Sequence, residues 1–374
     1  MSRAFVTIAA TLTTAAVLAA VLLAQQPRIA NGRVAAQAAA ALPGAFRTAV
    51  AGYADVGWIG YAVPVVEGER VMCCFNSGNT FVNGSVVMSD GVACCATCGL
   101  EPSLGGTSMS TRPQAPQPGG PIKLEGADEM VVLFRVVNRQ VERVRVFSED
   151  CQLDAGGRDV TWFTAVRPAE SIALLESLAT AQTDRRDRIT DGAISAIALH
   201  EDAAADAALE RLLAPAQPLA VRAKVPFWLG NTRGRRGLEV LQRVIRDDPS
   251  QEVKKKAAFG ISQSREPKAV EILIDAARSN PDTAVRGESI FWLGQKAGSK
   301  AAAAITERIE QDPDTDVKKR AVFALSQLPK DEGVPLLIQV ARTHSNPAVK
   351  KQAIFWLGQS KDPRALDYFA EVLK

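Results

Sequence analysis

The chain has 374 residues, with 44 Lys and Arg against 41 Asp and Glu, and 47% of its residues are hydrophobic. The net charge of +3 excludes the strongly basic surface of a nucleic-acid-binding protein, and the ordinary composition excludes a disordered, collagen-like or polytopic membrane chain. Only two histidines, His200 and His344, are present, which leaves little material for histidine catalysis or for a His-rich metal site.

The first segment of the chain is apolar. Residues 4–24 are apolar or threonine, Arg3 precedes them, and Gln25, Gln26 and Pro27 follow, which is the order of a signal peptide. Because the apolar run is longer than usual, residues 1–24 are predicted to be either a cleaved signal peptide or an N-terminal membrane anchor. Either one implies an exported protein, periplasmic or secreted, whose only membrane contact is that anchor. Residues 25–44, rich in Ala and Gln, are predicted to be a linker.

Residues 45–166 are predicted to form a small β-rich domain. Asn83-Gly84 and Asp90-Gly91 lie between apolar runs and favour tight hairpins. A further hairpin is predicted from the β-branched runs 130–137 and 141–147, with residues 138–140 between them. Residues 102–121 are predicted to be a flexible insertion, because they contain paired glycines and several prolines. These prolines are Pro113, Pro116, Pro118 and Pro121.

Six cysteines lie in the first half of the chain. They are Cys73, Cys74, Cys94, Cys95, Cys98 and Cys151. An even number of cysteines in an exported chain predicts disulfide bonds, and fifteen pairings of six cysteines are possible. The alternative is a zinc site formed by Cys95 and Cys98 with Cys73 or Cys74, but the ligand spacing is poor and export disfavours free thiols.

From Pro168 onward the sequence predicts helices with a strict repeat. Phenylalanine recurs every 32 residues, at positions 227, 259, 291, 323 and 355. A valine row precedes it by six residues, at 221, 253, 285, 317 and 349, and Ile189 extends that row. A second row keeps the same interval at 209, 241, 273, 305, 337 and 369. Two rows per unit indicate two helices per unit, so residues 167–374 are predicted to be an all-α solenoid of about six helical hairpins.

The repeats resemble a known family. Asp316-Val317-Lys318, the run from Ala321 to Ser326, and the run from Val349 to Gly358 are similar to the HEAT-like repeats of bacterial solenoid proteins. The resemblance implies a fold used by scaffolds, adaptors, pigment lyases and a hydroxylase. Deoxyhypusine hydroxylase, which is similar at the repeat level, binds iron through several His-Glu pairs. This chain has only His200-Glu201, so no metal or other cofactor is expected.

A partner-binding row is predicted on the second helices, which we take here as the inner helices of the solenoid. Some positions have side chains whose charge differs from repeat to repeat. The packing of one repeat on the next does not require a particular residue there, so these positions are expected to determine the specificity of partner binding. These positions are Arg243, Asp275, Glu307, Gln339 and Glu371. A secondary candidate surface on the first helices consists of Lys255, Lys319, Lys351, Phe259 and Phe323, where the lysines would add salt-dependent attraction.

The sequence therefore predicts a multidomain, exported, non-catalytic scaffold that binds another protein. No Ser-His-Asp, Cys-His or paired metal-ligand arrangement is visible in the repeats. Two alternatives remain open, both located in the β-rich domain. One is thiol-redox or metal chemistry at Cys95-x-x-Cys98. The other is small-ligand or glycan binding by Trp58 and Tyr61, which are expected to be exposed.

Overall fold

The computed structural model describes residues 29–67, 98–101, 128–149, 151, 153–181, 186–296 and 299–373. The chain divides into two compact units, Met1–Ala208 and Leu209–Lys374, and each is considered by itself. No helix among the described residues is both long enough and apolar enough to cross a membrane.

The first unit combines two sheets with flanking helices. Its strands are β1 (Ile29–Ala30), β2 (Arg33–Ala38), β3 (Val56–Pro64), β4 (Cys98–Gly99), β5 (Glu129–Val137), β6 (Gln140–Ser148), β7 (Leu153–Asp154) and β8 (Asp159–Thr164). Its helices are α1 (Leu42–Gly52), α2 (Pro168–Thr180) and α3 (Arg186–Leu199), and α4 (Ala204–Leu213) spans the boundary of the two units. One sheet has the order β2-β8-β3-β5-β6, and the other has the order β1-β7-β4.

The predicted hairpin of residues 130–147 is confirmed. Strands β5 and β6 pair in antiparallel register and are joined by Asn138 and Arg139, whose φ angles are 50° and 60°. Two successive positive φ values define the type I′ turn that suits the right-handed twist of a hairpin. Gln140, expected in the turn, is instead the first residue of β6.

The expectation that Trp58 and Tyr61 are exposed is wrong. Both side chains are completely buried, because β3 lies in the interior of its sheet and both faces of the sheet are covered. Trp58 packs in a cluster with Leu133 and Trp162 on one face. Tyr61 points to the other face, where its hydroxyl lies 2.8 Å from Ser171 Oγ, and burial raises the pKa of Tyr61.

The predicted linker of residues 25–44 is wrong from residue 29 onward. Strand β2 pairs in parallel with β8 at six successive positions, from Arg33 with Asp159 to Ala38 with Thr164, and α1 starts at Leu42. An alanine-rich sequence has no apolar alternation of its own, so the strand forms through main-chain pairing with a distant partner. The two predicted Asn-Gly and Asp-Gly hairpins and the 102–121 insertion lie outside the described residues.

The second unit consists of helices arranged in successive pairs. The first helices are α6 (Val225–Thr232), preceded by the short α5 (Leu219–Arg222), then α8 (Gln251–Gln263), α10 (Thr283–Lys296), α12 (Thr315–Ser326) and α14 (Pro347–Gln359). The second helices are α7 (Gly234–Asp247), α9 (Ala269–Ser279), α11 (Ser299–Gln311), α13 (Lys330–Thr343) and α15 (Pro363–Val372). The valine row is buried between the helices, as the repeat predicts, and so is the second row except for Phe369, which is half-buried.

A capping residue fixes the start of four first helices at the same repeat position. Ser250, Asp282, Asp314 and Asn346 each accept a hydrogen bond from a main-chain N–H of the first turn. Such a cap satisfies a donor that the helix itself leaves without a partner. The 32-residue spacing of these caps keeps all four helices in the same register.

Two kinds of repeat alternate, so the full period of the array is 64 residues. Arg222 and Arg286 form buried ion pairs with Asp248 and Asp312, with N–O distances of 2.6 and 2.8 Å. The intervening repeats have lysine at the arginine position, and in place of the aspartate they have Asn280 and His344. Asn280 Nδ2 and His344 Nε2 instead bond the carbonyl oxygens of Ile245 and Ile309. Each side chain ties the end of a second helix to a neighbouring repeat.

The prediction of about six hairpins is not confirmed, because only five pairs are present between Leu219 and Val372. Ile189, the expected extension of the valine row, lies on α3 in the first unit. Gly192 on the same helix approaches the main chain of Val144 so closely that a Cβ there would lie 2.2 Å from its oxygen. Helices α2 and α3 therefore pack in the unit that contains the sheet, although the sequence assigns residues from 167 onward to the solenoid.

Candidate functional site

Neighbouring first helices lie closer together than neighbouring second helices do. A Cβ on Gly230 would lie 1.8 Å from the carbonyl oxygen of Gly260, and one on Gly260 would lie 2.2 Å from that of Pro226. A Cβ on Gly294 would lie 2.9 Å from the Cβ of Ala324. The first helices therefore form the more tightly packed row of the array. The assignment of the second helices to the inner side stays a prediction.

Aromatic rings form an unbroken ladder along the first helices. Its members are Phe227, Trp228, Phe259, Phe291, Trp292, Phe323, Phe355 and Trp356. Successive ring centroids are between 4.6 and 5.8 Å apart. Phe227 stacks on Phe259, and Phe291 stacks on Phe323, with interplanar angles of 17° and 8°. We call these eight residues the aromatic strip.

The aromatic strip is partly accessible. Seven of its members are half-buried, and Phe355 is 52% exposed. The sequence places phenylalanine at the edge of the core, and the half-buried rings agree with that position. Four ring contacts join neighbouring repeats: Phe227–Phe259, Phe259–Trp292, Phe291–Phe323 and Phe323–Trp356. Aromatic pairs at these separations contribute about 0.5–1.5 kcal/mol each beyond the area that they bury.

The tryptophans belong to the 64-residue alternation. Trp292 follows Phe291 and contacts Phe259 of the preceding repeat, whereas Gly260 occupies the equivalent position in that repeat. Large and small side chains therefore alternate along the strip. The indole N–H of Trp292 also donates to Glu288 Oε1 at 2.9 Å, which fixes the orientation of its ring.

Polar rows flank the aromatic strip on each side. Lys255, Lys319 and Lys351 lie four residues before a phenylalanine, which is one helical turn away, so the structure brings together the secondary candidate lysines and phenylalanines. Lys319 also pairs with Asp316 at 3.0 Å.

A second polar row, which sequence reasoning missed, lies four residues after each phenylalanine. It consists of Asn231, Gln263, Gln295, Gln327 and Gln359, and we call it the amide row. All five side chains are exposed or half-buried. Gln295 Nε2 donates to Gln327 Oε1 at 3.3 Å, so the row runs from helix to helix. The 32-residue spacing of these amides is the sequence pattern from which the row could have been predicted.

The predicted second-helix row is largely occupied by ion pairs between successive repeats. Arg243 pairs with Glu210 at 2.9 Å, and Glu307 pairs with Arg278 at 2.7 Å. The hydrogen bond from the Arg278 guanidinium holds the pKa of Glu307 below its usual value.

The remaining members of the second-helix row differ from one another. Glu371 pairs with Arg342 across the last two repeats. Asp275 and Gln339 are exposed. Exposed ion pairs contribute little to stability, about 0–1 kcal/mol, so those of this row chiefly orient the side chains along it.

The cysteine predictions concern mostly undescribed residues. Cys73, Cys74, Cys94 and Cys95 lie outside the described residues, and of Cys98 only the main chain, in β4, is described. Cys151 is buried in the cluster that also contains Leu153, a residue of β7, the strand beside β4. The disulfide set therefore stays a prediction, as does the zinc alternative.

The described residues show no arrangement suited to a metal ion. No group of three or more His, Cys, Asp or Glu in the described ranges is placed to hold one. His200 is completely buried just after α3, and its Nε2 lies 2.9 Å from Ser171 Oγ, which in turn bonds Tyr61. His200 therefore belongs to a buried hydrogen-bonded chain in the first unit.

Two-helix units that stack along a common period define an α-solenoid. Comparison with protein families identifies its type, since residues 205–294 and 302–374 match the HEAT repeats. This part of the chain is a HEAT-repeat array, and HEAT repeats suggest a scaffold for protein interaction. A search of curated protein sequences finds no match to the chain.

Several solved structures resemble the chain at low identity. The complex of CpcE and CpcF of phycocyanin lyase from Nostoc sp. PCC7120 is 18% identical over 41% of this chain and 97% of that chain, with a TM-score of 0.33. The YibA protein of Escherichia coli is 24% identical over 45% of this chain and 64% of that one, with a TM-score of 0.32. Human deoxyhypusine hydroxylase in complex with glycerol is 19% identical over 55% and 90%, with a TM-score of 0.24.

Proposed function

We propose that the protein is a non-catalytic scaffold that binds another protein through the aromatic strip of its HEAT-repeat array. The observation that supports this proposal is the continuity of the strip, which runs through five first helices without interruption. Stacked repeats build extended surfaces, and such surfaces are what solenoid proteins generally offer to partners. Aromatic side chains supply much of the binding energy of protein interfaces.

The second-helix row is the other candidate surface for the same function. Its members vary from repeat to repeat, which favours a role in specificity. Three of them, Arg243, Glu307 and Glu371, already pair with charges of neighbouring helices. A partner would have to compete with those pairs, and for this reason the aromatic strip is the better candidate.

The alternative to a binding scaffold is an enzymatic activity that depends on the cysteines. Cys95-x-x-Cys98 has the spacing that can lower a thiol pKa, and thiol-redox or metal chemistry would depend on it. Titration of thiols in protein purified without reductant separates the two proposals. Glycan binding is not retained, because Trp58 and Tyr61, on which it depended, are buried.

Export is proposed together with the scaffold function. It rests on the sequence of residues 1–27 alone, which has the order of a signal peptide. The intact mass of protein recovered from the cell envelope tests it. Loss of about two dozen N-terminal residues supports cleavage and export. Recovery of the complete chain from the cytosol contradicts both.

The binding surface is tested by partner capture with the full chain and matched variants. Phe259→Leu combined with Phe323→Leu removes two rings of the strip and retains apolar side chains. Phe369→Leu is the control, because the same change on a second helix restores the leucine that all earlier repeats but one have there. Two lost ring contacts of about 1 kcal/mol each predict at least a tenfold weaker partner affinity for the double variant and little change for the control.

Charge reversal tests the other surfaces in the same assay. If the second-helix row is the binding surface, Arg243→Glu with Glu307→Arg abolishes capture and the phenylalanine variants do not. Lys255→Glu with Lys319→Glu is expected to weaken capture mainly at low salt, because exposed charges are screened as the ionic strength rises. Helicity measured by circular dichroism must stay unchanged in every variant.

A further inference from the structure

We propose that the aromatic strip binds a proline-rich segment of its partner in the polyproline II conformation, with one turn of the segment on each repeat. This inference rests on the proposed function and specifies the chemistry of the partner. It follows from the spacing of the first helices, from the hydrogen-bond donors beside the strip, and from the packing of the rings.

The spacing of the repeats matches that of a polyproline II helix. Packed helices lie about 8–10 Å apart, and each first helix contributes one phenylalanine to the strip. Polyproline II has three residues per turn and rises about 3.1 Å per residue, so one turn advances about 9.3 Å. Every third residue of such a segment meets the next repeat in the same orientation. A β-strand repeats its side-chain orientation every two residues, or about 6.6 Å, and this distance is shorter than the separation of neighbouring helices.

The polar groups beside the rings suit a partner rich in hydrogen-bond acceptors. A side-chain amide donates through two N–H groups, and the amide row places such donors at or near the end of each first helix. Gln263, Gln295 and Gln327 each use one N–H on a neighbouring side chain, which leaves the second one for a partner. The lysines on the opposite side of the rings are donors only. A polyproline II segment has no internal hydrogen bonds, so its carbonyl oxygens are free, and its prolines have no N–H to satisfy.

The packing of the rings favours the same partner. Phe227 with Phe259, and Phe291 with Phe323, cover one face of each other by stacking. Stacking covers ring faces rather than ring edges, and the edges carry the positive part of the aromatic quadrupole, which attracts carbonyl oxygens. Grooves lined by aromatic side chains are a general mode of polyproline II recognition.

The test measures binding of labelled peptides to the full chain by fluorescence anisotropy. The first probe is a peptide of about 15 residues with proline at every third position, long enough for five repeats. A second probe is a peptide of residues 111–123 of this chain, because prolines 113 and 116, and prolines 118 and 121, have that spacing. The control peptide has glycine in place of each proline. We expect it to bind at least about tenfold more weakly, since a flexible chain loses more entropy on binding.

The matched protein variants test the amide row. Gln295→Ala combined with Gln327→Ala removes two exposed amides beside the strip, and Gln242→Ala combined with Gln311→Ala removes two exposed amides from second helices, outside the second-helix row. The strip variant is expected to bind the proline peptide about tenfold more weakly, from two lost hydrogen bonds. The second-helix variant is expected to stay within about twofold of the unchanged protein.

Three results would overturn the inference: equal affinity for the proline and glycine peptides, equal effects of the two glutamine variants, or binding to phosphatidylglycerol vesicles without binding to either proline peptide. Failure of the proposed function is a separate result. If the natural partner depends on Phe259 and Phe323 but no proline peptide binds, only the polyproline inference fails. If the partner does not depend on these phenylalanines, the proposed function fails too.

Discussion

The ion pair between Arg286 and Asp312 shows how single residues fix the stacking of the repeats. Both oxygens of Asp312 accept from the Arg286 guanidinium, at 2.8 and 3.1 Å, and the carboxylate is completely buried. The hydrogen bond to Asp312 raises the pKa of Arg286 above its usual value. Arg286 also donates to the carbonyl oxygen of Asn280 at 3.1 Å. The arginine thereby joins two successive second-helix ends.

Asp312→Asn is predicted to destabilise the array by about 3–5 kcal/mol, because it leaves the buried Arg286 without its counter-charge. Adding Arg286→Lys should recover a large part of that loss, since the double variant recreates Lys254 and Asn280 of the preceding repeat. Urea unfolding followed by circular dichroism at 222 nm measures both changes. A double variant as unstable as the single variant would contradict the idea that the two kinds of repeat are interchangeable.

At the scale of elements, the turn between β5 and β6 is strained, because a residue other than glycine adopts a left-handed backbone conformation there. Arg139 has φ of 60°, in the left-handed region that glycine adopts without strain. Its N–H donates to the carbonyl oxygen of Tyr53 at 2.8 Å, a bond that any residue other than proline can make. The type I′ turn is most often formed by Asn-Gly, and here only the asparagine is present.

Arg139→Gly is therefore predicted to stabilise the first unit by about 0.5–1 kcal/mol. Gln140→Gly is the matched control, because Gln140 is exposed in β6 and glycine in a strand costs about the same amount. Differential scanning calorimetry of the full chain measures both variants. A lower transition temperature for Arg139→Gly would mean that the arginine side chain makes a contribution larger than the strain.

The elements differ in how far the sequence predicts them. The β5–β6 hairpin follows from local sequence, because its two β-branched runs are close together in the chain. The helices of the array follow from the apolar row within each helix and from the fixed period. Strand β2 does not, because its pairing partner β8 lies 126 residues away from Arg33 and its own sequence is mostly alanine. The burial of Trp58 and Tyr61 likewise could not be predicted from the sequence, because it depends on which strands flank β3.

The candidate site shows the same limit. The phenylalanine row and its position at the edge of the core could be read from the 32-residue period. The contact of Phe227 with Phe259 joins two repeats, and it depends on how closely α6 and α8 approach each other. That approach is set by Gly230 and Gly260. The sequence shows that these residues are small, but it does not show which neighbouring main chain requires them to be small.

At the scale of the whole molecule, the cysteines predict that the two units respond differently to reduction. Disulfides in a small β-rich unit with a modest core would supply about 2–4 kcal/mol each, whereas residues 209–374 contain no cysteine. Reduction should therefore destabilise the first unit and leave the helical array folded. Calorimetry with and without reductant measures this difference.

The control for that prediction is the thiol content of protein purified without reductant. Alkylation followed by mass spectrometry is expected to find no reactive cysteine. Six alkylated cysteines would contradict the disulfide prediction, and would make zinc binding or thiol chemistry the better explanation of Cys95-x-x-Cys98.

The central claim is that the array binds a protein partner through its first helices. Hydrogen–deuterium exchange of the full chain, measured by mass spectrometry with and without the captured partner, tests it most directly. The account predicts slower exchange in α8, α10 and α12, centred on Phe259, Phe291 and Phe323, with little change in α9, α11 and α13. Protection confined to the second helices, or to the first unit alone, would contradict it.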